Sequence, residues 1–188
     1  MSGGSYLVVG LGNIGAEYAG TRHNIGFRVV NELAEGCGAS FVSERYGGVS
    51  RLRLKNVRVT LLKPNTMMNL SGDAVRYWLQ KEKLGLGQVL VVVDDIALPF
   101  GSLRVRVQGS HAGHNGLKHI QAQLGSTEYA RLRVGIGNGY PRGGQVSYVL
   151  GQFTAEEQVA LPGLVERSVE AVRTYCLSGA QEAMNRYN

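Results

Sequence analysis

Residues Gln88 to Asp95 read QVLVVVDD: five consecutive valines and leucines that end on two carboxylates. A run so short and so apolar fits a strand covered on both faces, at the centre of a sheet. Working outward, Tyr6–Val9 is a second short apolar run, closed by Gly10. Phe27, Val30 and Leu33 are spaced for one face of a helix from Asn24 to Glu35, with Gly36 and Gly38 as its stop. Strands are expected at Gly48–Leu54 and Arg58–Leu62, then a helix from Gly72 to Leu84 capped by Ser71 or Asn69. Ser102–Val107 and Arg131–Ile136 alternate apolar residues with arginine, the pattern of half-exposed strands, around a helix from Asn115 to Leu124. A loop, GNGYPRGG, follows. The end of the chain, Ala155 to Asn188, reads as helix interrupted near Pro162 and Gly163. Strand and helix alternate with no linker, so residues 1–188 are expected to form a single α/β domain. Its sheet should be mixed, largely parallel and twisted, surrounded by helices, with polar loops at the C-terminal strand ends carrying the site.

The 188 residues carry 20 Lys and Arg against 14 Asp and Glu. That excess of +6 is modest, but its placement is informative. Between Gly101 and Leu150, Arg104, Arg106, Lys118, Arg131, Arg133 and Arg142 face the single acid Glu128. A one-signed cluster of this kind attracts a polyanion such as RNA. Cys37 and Cys176 match no metal or redox spacing. No segment is apolar enough for a signal peptide or a membrane span, so a cytoplasmic protein without membrane attachment is expected.

Gly10, Gly12 and Gly15 spell G-x-G-x-x-G after a strand. A dinucleotide site needs a helix to open directly behind that pattern, and here the helical periodicity begins only at Asn24. No nucleotide cofactor is expected, and the glycines instead let Asn13 approach a site. Nor is there a phosphate loop or a serine nucleophile elbow.

Of the four histidines, His23 enters the first helix from a glycine-rich loop. The field near a helix N-terminus disfavours imidazolium, and a neutral ring is what a general base requires. Asp94 ends the valine-rich strand, placed to fix that ring's tautomer. Asp95 could serve instead, but strand alternation allows only one of the two to face the site. Asn13, Asn69 and Asn115 fall in glycine- or proline-containing junctions, where uncharged amides can hold a carbonyl or a developing oxyanion. Met67 and Met68 suit a groove beside them. His111 and His114 lie in a loop with no Cys or acid nearby to complete a metal set.

Five blocks in order carry a wider resemblance: VGLGNIGAEYAGTRHNIGF, KPNTMMNLSG, VDDIALPFG, GHNGLKHI and RLRVGIGNG. Through them the chain resembles the bacterial-type peptidyl-tRNA hydrolases from Tyr6 to Asn188. The resemblance implies hydrolysis of the ester between a peptide and the 3′-terminal ribose of tRNA, by a monomer that needs no metal, no cofactor and no obligate protein partner. It makes His23 the catalytic histidine and Asp94 its orienting aspartate. Asn13, Tyr18, Met68, Asn69, His114 and Asn115 are implied to bind the substrate. Arg106 and Arg133 fall at or near the positions that hold tRNA phosphate. Relatives often have proline where Ile14 stands and an acid where Ala97 stands, and neither is needed for the chemistry. The alternatives are an RNA-binding relative that has lost turnover and a small-molecule carboxylesterase.

Overall fold

A computed structural model describes residues 3–188. The order is β1 (Ser5–Gly10), α1 (Ile25–Gly36), β2 (Val42–Glu44), β3 (Gly47–Leu54), β4 (Val57–Pro64), α2 (Ser71–Lys81) and β5 (Val89–Asp95). Then come β6 (Leu103–Arg106), α3 (Asn115–Leu124), β7 (Ala130–Gly135), α4 (Gln145–Val149), α5 (Ala155–Ser178) and α6 (Ala180–Tyr187). The strands make one sheet in the order β2-β3-β4-β1-β5-β7-β6. β4, β1, β5 and β7 are mutually parallel, β3 and β6 run antiparallel to them on either side, and β2 pairs antiparallel with β3 at the edge. This is the α/β domain with a largely parallel sheet that the alternation of elements predicts.

Every residue of β5 is buried, whereas β3, nearer the edge, has exposed residues at Arg51 and Arg53. Two apolar layers result. On one face Val8, Leu61, Leu90, Val92, Leu132 and Val134 pack with α1, α5 and α6. On the other Leu7, Val9, Leu62, Val91 and Val93 pack with α2 and α3. Side chains such as these contribute roughly 1.5–3 kcal/mol each on burial, which is why the central strands need no alternation.

Several expectations change. β2 and α4 were not anticipated; at three and five residues they are too short to show a period. α5 runs unbroken through Pro162, because Pro162 and Gly163 lie on its exposed side while Leu161, Leu164 and Val165 hold the buried stripe. Water can take up the carbonyl that proline leaves unbonded there. The break comes instead at Gly179, whose φ of 90° few other residues adopt. Neither Asn69 nor Ser71 caps α2. Ser71 is its first residue and its hydroxyl donates to the Met68 carbonyl at 2.7 Å. The cap is tertiary: His119 Nδ1, on α3, accepts the Gly72 N–H at 2.9 Å. Among the described residues no helix is long and apolar enough to cross a membrane.

Candidate active site

Glycines bring the site together. A Cβ on Gly26, in the first turn of α1, would lie 2.5 and 2.6 Å from the Leu11 backbone and 2.6 Å from the Val92 carbonyl. A Cβ on Gly10 would lie 2.3 Å from the Gly26 carbonyl. These contacts are with backbone and cannot rotate away, so α1 lies on β1 and β5 only because both positions are glycine. The G-x-G-x-x-G stretch therefore serves helix–sheet packing through Gly10, and α1 opens at Ile25, ten residues beyond Gly15. Gly26→Ala should cost about 1–3 kcal/mol by overpacking. It should also lower turnover by shifting the turn that carries His23. A urea midpoint and a turnover rate both equal to wild type would refute the close-approach account.

That turn, Arg22–Asn24, is a buried 3₁₀ turn directly before α1. His23 is 8% exposed and Asp94 3% exposed. His23 Nδ1 lies 2.8 Å from Asp94 Oδ2, and His114 Nε2 lies 2.9 Å from Asp94 Oδ1. The tautomers follow from the partners. His114 Nδ1 accepts the N–H groups of Gly116 at 3.1 Å and Leu117 at 3.4 Å, capping α3, so its proton is on Nε2 and is donated to Asp94. A carboxylate only accepts, so His23 donates from Nδ1 and its Nε2 keeps a lone pair. Burial alone would push the Asp94 carboxyl up. The two imidazoles, His114 foremost, outweigh it and hold the group well below the carboxylate range. Asp94 therefore stays ionised throughout the working pH range.

The cavity beside this pair is narrow, about 70 Å³, and Asn115, His111, Arg133 and Val149 also line it. Asp95 borders it too, contrary to the alternation argument, but Asp95 Oδ1 is taken by the Ala97 N–H at 2.8 Å. A larger groove of about 570 Å³ lies at the opposite end of the strands, by Ser5, Arg53 and Arg58, remote from this chemistry.

The asparagines differ. Asn13 is buried: its Oδ1 accepts the Met68 N–H at 2.6 Å, so only its Nδ2 donors remain for a ligand. Met68 is buried and Met67 exposed. Asn69 and Asn115 are exposed, Asn69 in a short turn before α2 and Asn115 at the start of α3. Tyr18 is half-buried in a 3₁₀ turn and lines neither the His23 cavity nor the groove beside Asn13.

Two residues, Asn24 and Arg22, escaped the sequence reading, as did the contact that His114, expected only to bind substrate, makes with Asp94. Asn24 Oδ1 accepts the Asn13 N–H at 2.8 Å and Asn24 Nδ2 donates to the Asn13 carbonyl at 2.9 Å, pinning the glycine-rich loop. Arg22 donates to the Tyr148 carbonyl at 3.0 Å and to Glu157 at 3.1 Å, and stacks 3.9 Å over the Tyr148 ring. It thereby ties the His23 turn to α4 and α5. His114 supplies the second imidazole on Asp94. The T-R-H-N run was the available signal, since polar residues flanking a histidine can be its supports.

The basic cluster is partly structural. Arg131 is fully buried and donates to the carbonyls of Gly109, Thr127 and Tyr129, so it clamps loops instead of facing solvent. Arg104 pairs across strands with Arg133, and Arg106 with Arg131, which puts all four on one face. Like charges directly opposite one another are unfavourable. Arg106 is exposed, and Arg133 donates to the Ser110 carbonyl at 2.7 Å and lies 3.7 Å from Asp95.

His23, Asp94 and His114 also offer ligand atoms within 4.8 Å of one another, a set of two imidazoles and a carboxylate that suits zinc. Asp94 and His23 are the partners that the sequence around His111 and His114 did not reveal. A metal would have to displace both ring protons that make the 2.8 and 2.9 Å contacts.

The family model described as peptidyl-tRNA hydrolase matches residues 7–188. A peptidyl-tRNA hydrolase of Porphyromonas gingivalis is 60% identical, over 97% of this chain and 99% of its own. One from Parabacteroides distasonis is 58% identical, over 97% and 98%. The crystal structure of the Acinetobacter baumannii peptidyl-tRNA hydrolase superposes with a TM-score of 0.91 at 32% identity, covering 97% of this chain and 95% of that one.

Proposed function

The chain belongs to the peptidyl-tRNA hydrolase family, and on that premise we propose that His23, steadied by Asp94, deprotonates the water that cleaves its substrate. The protein hydrolyses the ester joining a peptide to the 3′-terminal ribose of tRNA. The observation that carries the residue assignment is the His23–Asp94–His114 chain, which leaves His23 Nε2 as the one ring nitrogen with a free lone pair.

In this mechanism His23 Nε2 takes a proton from water, and Asp94 stabilises the imidazolium that forms. The hydroxide attacks the ester carbonyl. Asn115, bordering the same cavity, donates to the tetrahedral oxyanion. The intermediate collapses and the ribose oxygen leaves, taking the proton back from His23. The Nδ2 donors of Asn13, with Asn69 and Tyr18, hold the peptide backbone, which suits a substrate of variable sequence. Met68 and His114 shape that groove. Arg106 and Arg133 hold tRNA phosphate and position the acceptor end. The enzyme works as a single-domain monomer in the cytoplasm, where its substrate arises.

Turnover of N-acyl-aminoacyl-tRNA by the purified protein, set beside a minimal N-acyl-aminoacyl-ribose ester, tests this reading. Arg133→Glu should raise KM for the tRNA substrate about tenfold or more, in line with loss of a charged contact. It should alter cleavage of the ribose ester far less; an equal loss on both would remove the phosphate role. The mechanism has no step that needs a metal, so exhaustive dialysis against a chelator should leave kcat within about twofold. A loss restored by zinc would instead assign His23, Asp94 and His114 to an ion.

A further inference from the structure

A groove of about 410 Å³ runs from Asn13 across Asn24 and Phe27 to Lys63, Asn65 and Arg28. Asn24 lines this groove and His23 the catalytic cavity, so the two spaces flank a single turn. We infer that this groove receives the peptide of the substrate upstream of the scissile ester, and that Lys63 selects for acidic side chains there. The inference rests on the proposed role of Asn13 in gripping the peptide and extends it to side-chain specificity.

Lys63 is a half-buried cation without a counter-ion. Its ammonium donates to Asn31 Oδ1 at 2.7 Å, an uncharged acceptor, and sits 4.1 Å over the Phe41 ring. Among the described residues no carboxylate lies within 4 Å of it. Burial pulls the ammonium below the usual lysine range, which is the unfavourable desolvation that a bound anion relieves. Arg28 adds a second positive group along the wall. Glu17 folds back against Gly15 at the rim, and Glu32 and Glu35 line a separate groove that shares Arg28 and Asn31 with this one.

Sheet order indicates which anion. Lys63 is on β4, and by alternation it shares a face with Val59 and Leu61, the face on which Asp94 follows Val92. Along the row β4-β1-β5-β7-β6 the ester is cleaved at β5 and the phosphate-binding arginines stand on β7 and β6. Lys63 therefore lies across the cleavage point from those arginines, on the side that this inference gives to the peptide. Two strand spacings separate β5 from β4, about 10 Å, which an extended chain covers in about three residues.

The test compares peptidyl-tRNAs identical except for Glu, Gln or Lys at the third residue upstream of the ester. Wild type should favour Glu over Lys in kcat/KM by roughly fivefold, the scale of a partly exposed ion pair. Lys63→Met should abolish the ratio, Lys63→Glu should invert it, and Lys63→Arg should keep it. Because each ratio is taken within one variant, changes in the common chemistry cancel. Equal kcat/KM for the three substrates in wild type, or an undiminished ratio in Lys63→Met, would overturn the inference. Failure of wild type to cleave N-acetyl-aminoacyl-tRNA at all would instead strike the reading on which it rests.

Discussion

Replacing His23 by alanine should lower kcat on N-acyl-aminoacyl-tRNA by about 10³-fold or more, since a positioned base contributes roughly 10²–10⁴-fold and the ring also returns a proton to the leaving oxygen. KM should change little, because the proposed phosphate and peptide contacts are made by residues on other elements. The substitution has a structural cost that must be separated from the chemical one. Without the ring, Asp94 Oδ2 loses its donor in a site only 3% exposed. An unsatisfied buried acceptor costs about 1–3 kcal/mol, a fall of several degrees in Tm for a chain of this size. Turnover within about tenfold of wild type, in a variant with a cooperative unfolding transition, would remove His23 from the base role.

Where the sequence was legible, a strong local pattern had no competitor. The valine run gave β5, and helical spacing between a turn and a glycine gave α3 as Asn115–Leu124. Where it misled, a distant part of the chain supplied the deciding partner. Ser71 looks like a cap, but His119 does the capping from 47 residues away. Arg131 looks like part of a solvated basic strand, but the loops at Gly109 and Thr127 close over it. Proline at 162 looks like a break, but the neighbouring leucines keep their stripe against the sheet. The same limit applied to the site. His23 and Asp94 stood out because each ends or begins an element. Nothing local to His114 shows that its ring lies on Asp94, because that contact depends on how α3 docks against β5. Arg22 and Asn24 are indistinguishable in sequence from ordinary turn residues until Glu157 and Asn13 are seen opposite them.

That docking makes Asp94→Asn the second large effect, with an isosteric side chain and a reversed proton arrangement. Asparagine presents one acceptor oxygen and one donor NH₂ to two imidazoles. The His114 ring cannot adapt, since its Nδ1 is committed to the Gly116 and Leu117 N–H groups and its Nε2 must donate. The amide oxygen is therefore drawn to His114, and the NH₂ turns towards His23 Nδ1. To accept that donor His23 must move its proton to Nε2, the atom that has to take a proton from water. The base is then present in the wrong tautomer, an effect worth about 10⁴-fold in a serine protease triad. Turnover should therefore fall by roughly three to four orders of magnitude, with KM nearly unchanged. Folding should suffer little, because both hydrogen bonds can still form. If Asp94→Asn retained more than about a tenth of the wild-type turnover rate, the tautomer argument would fail, and with it the reading of His114 as the group that dictates which way the aspartate's replacement must face.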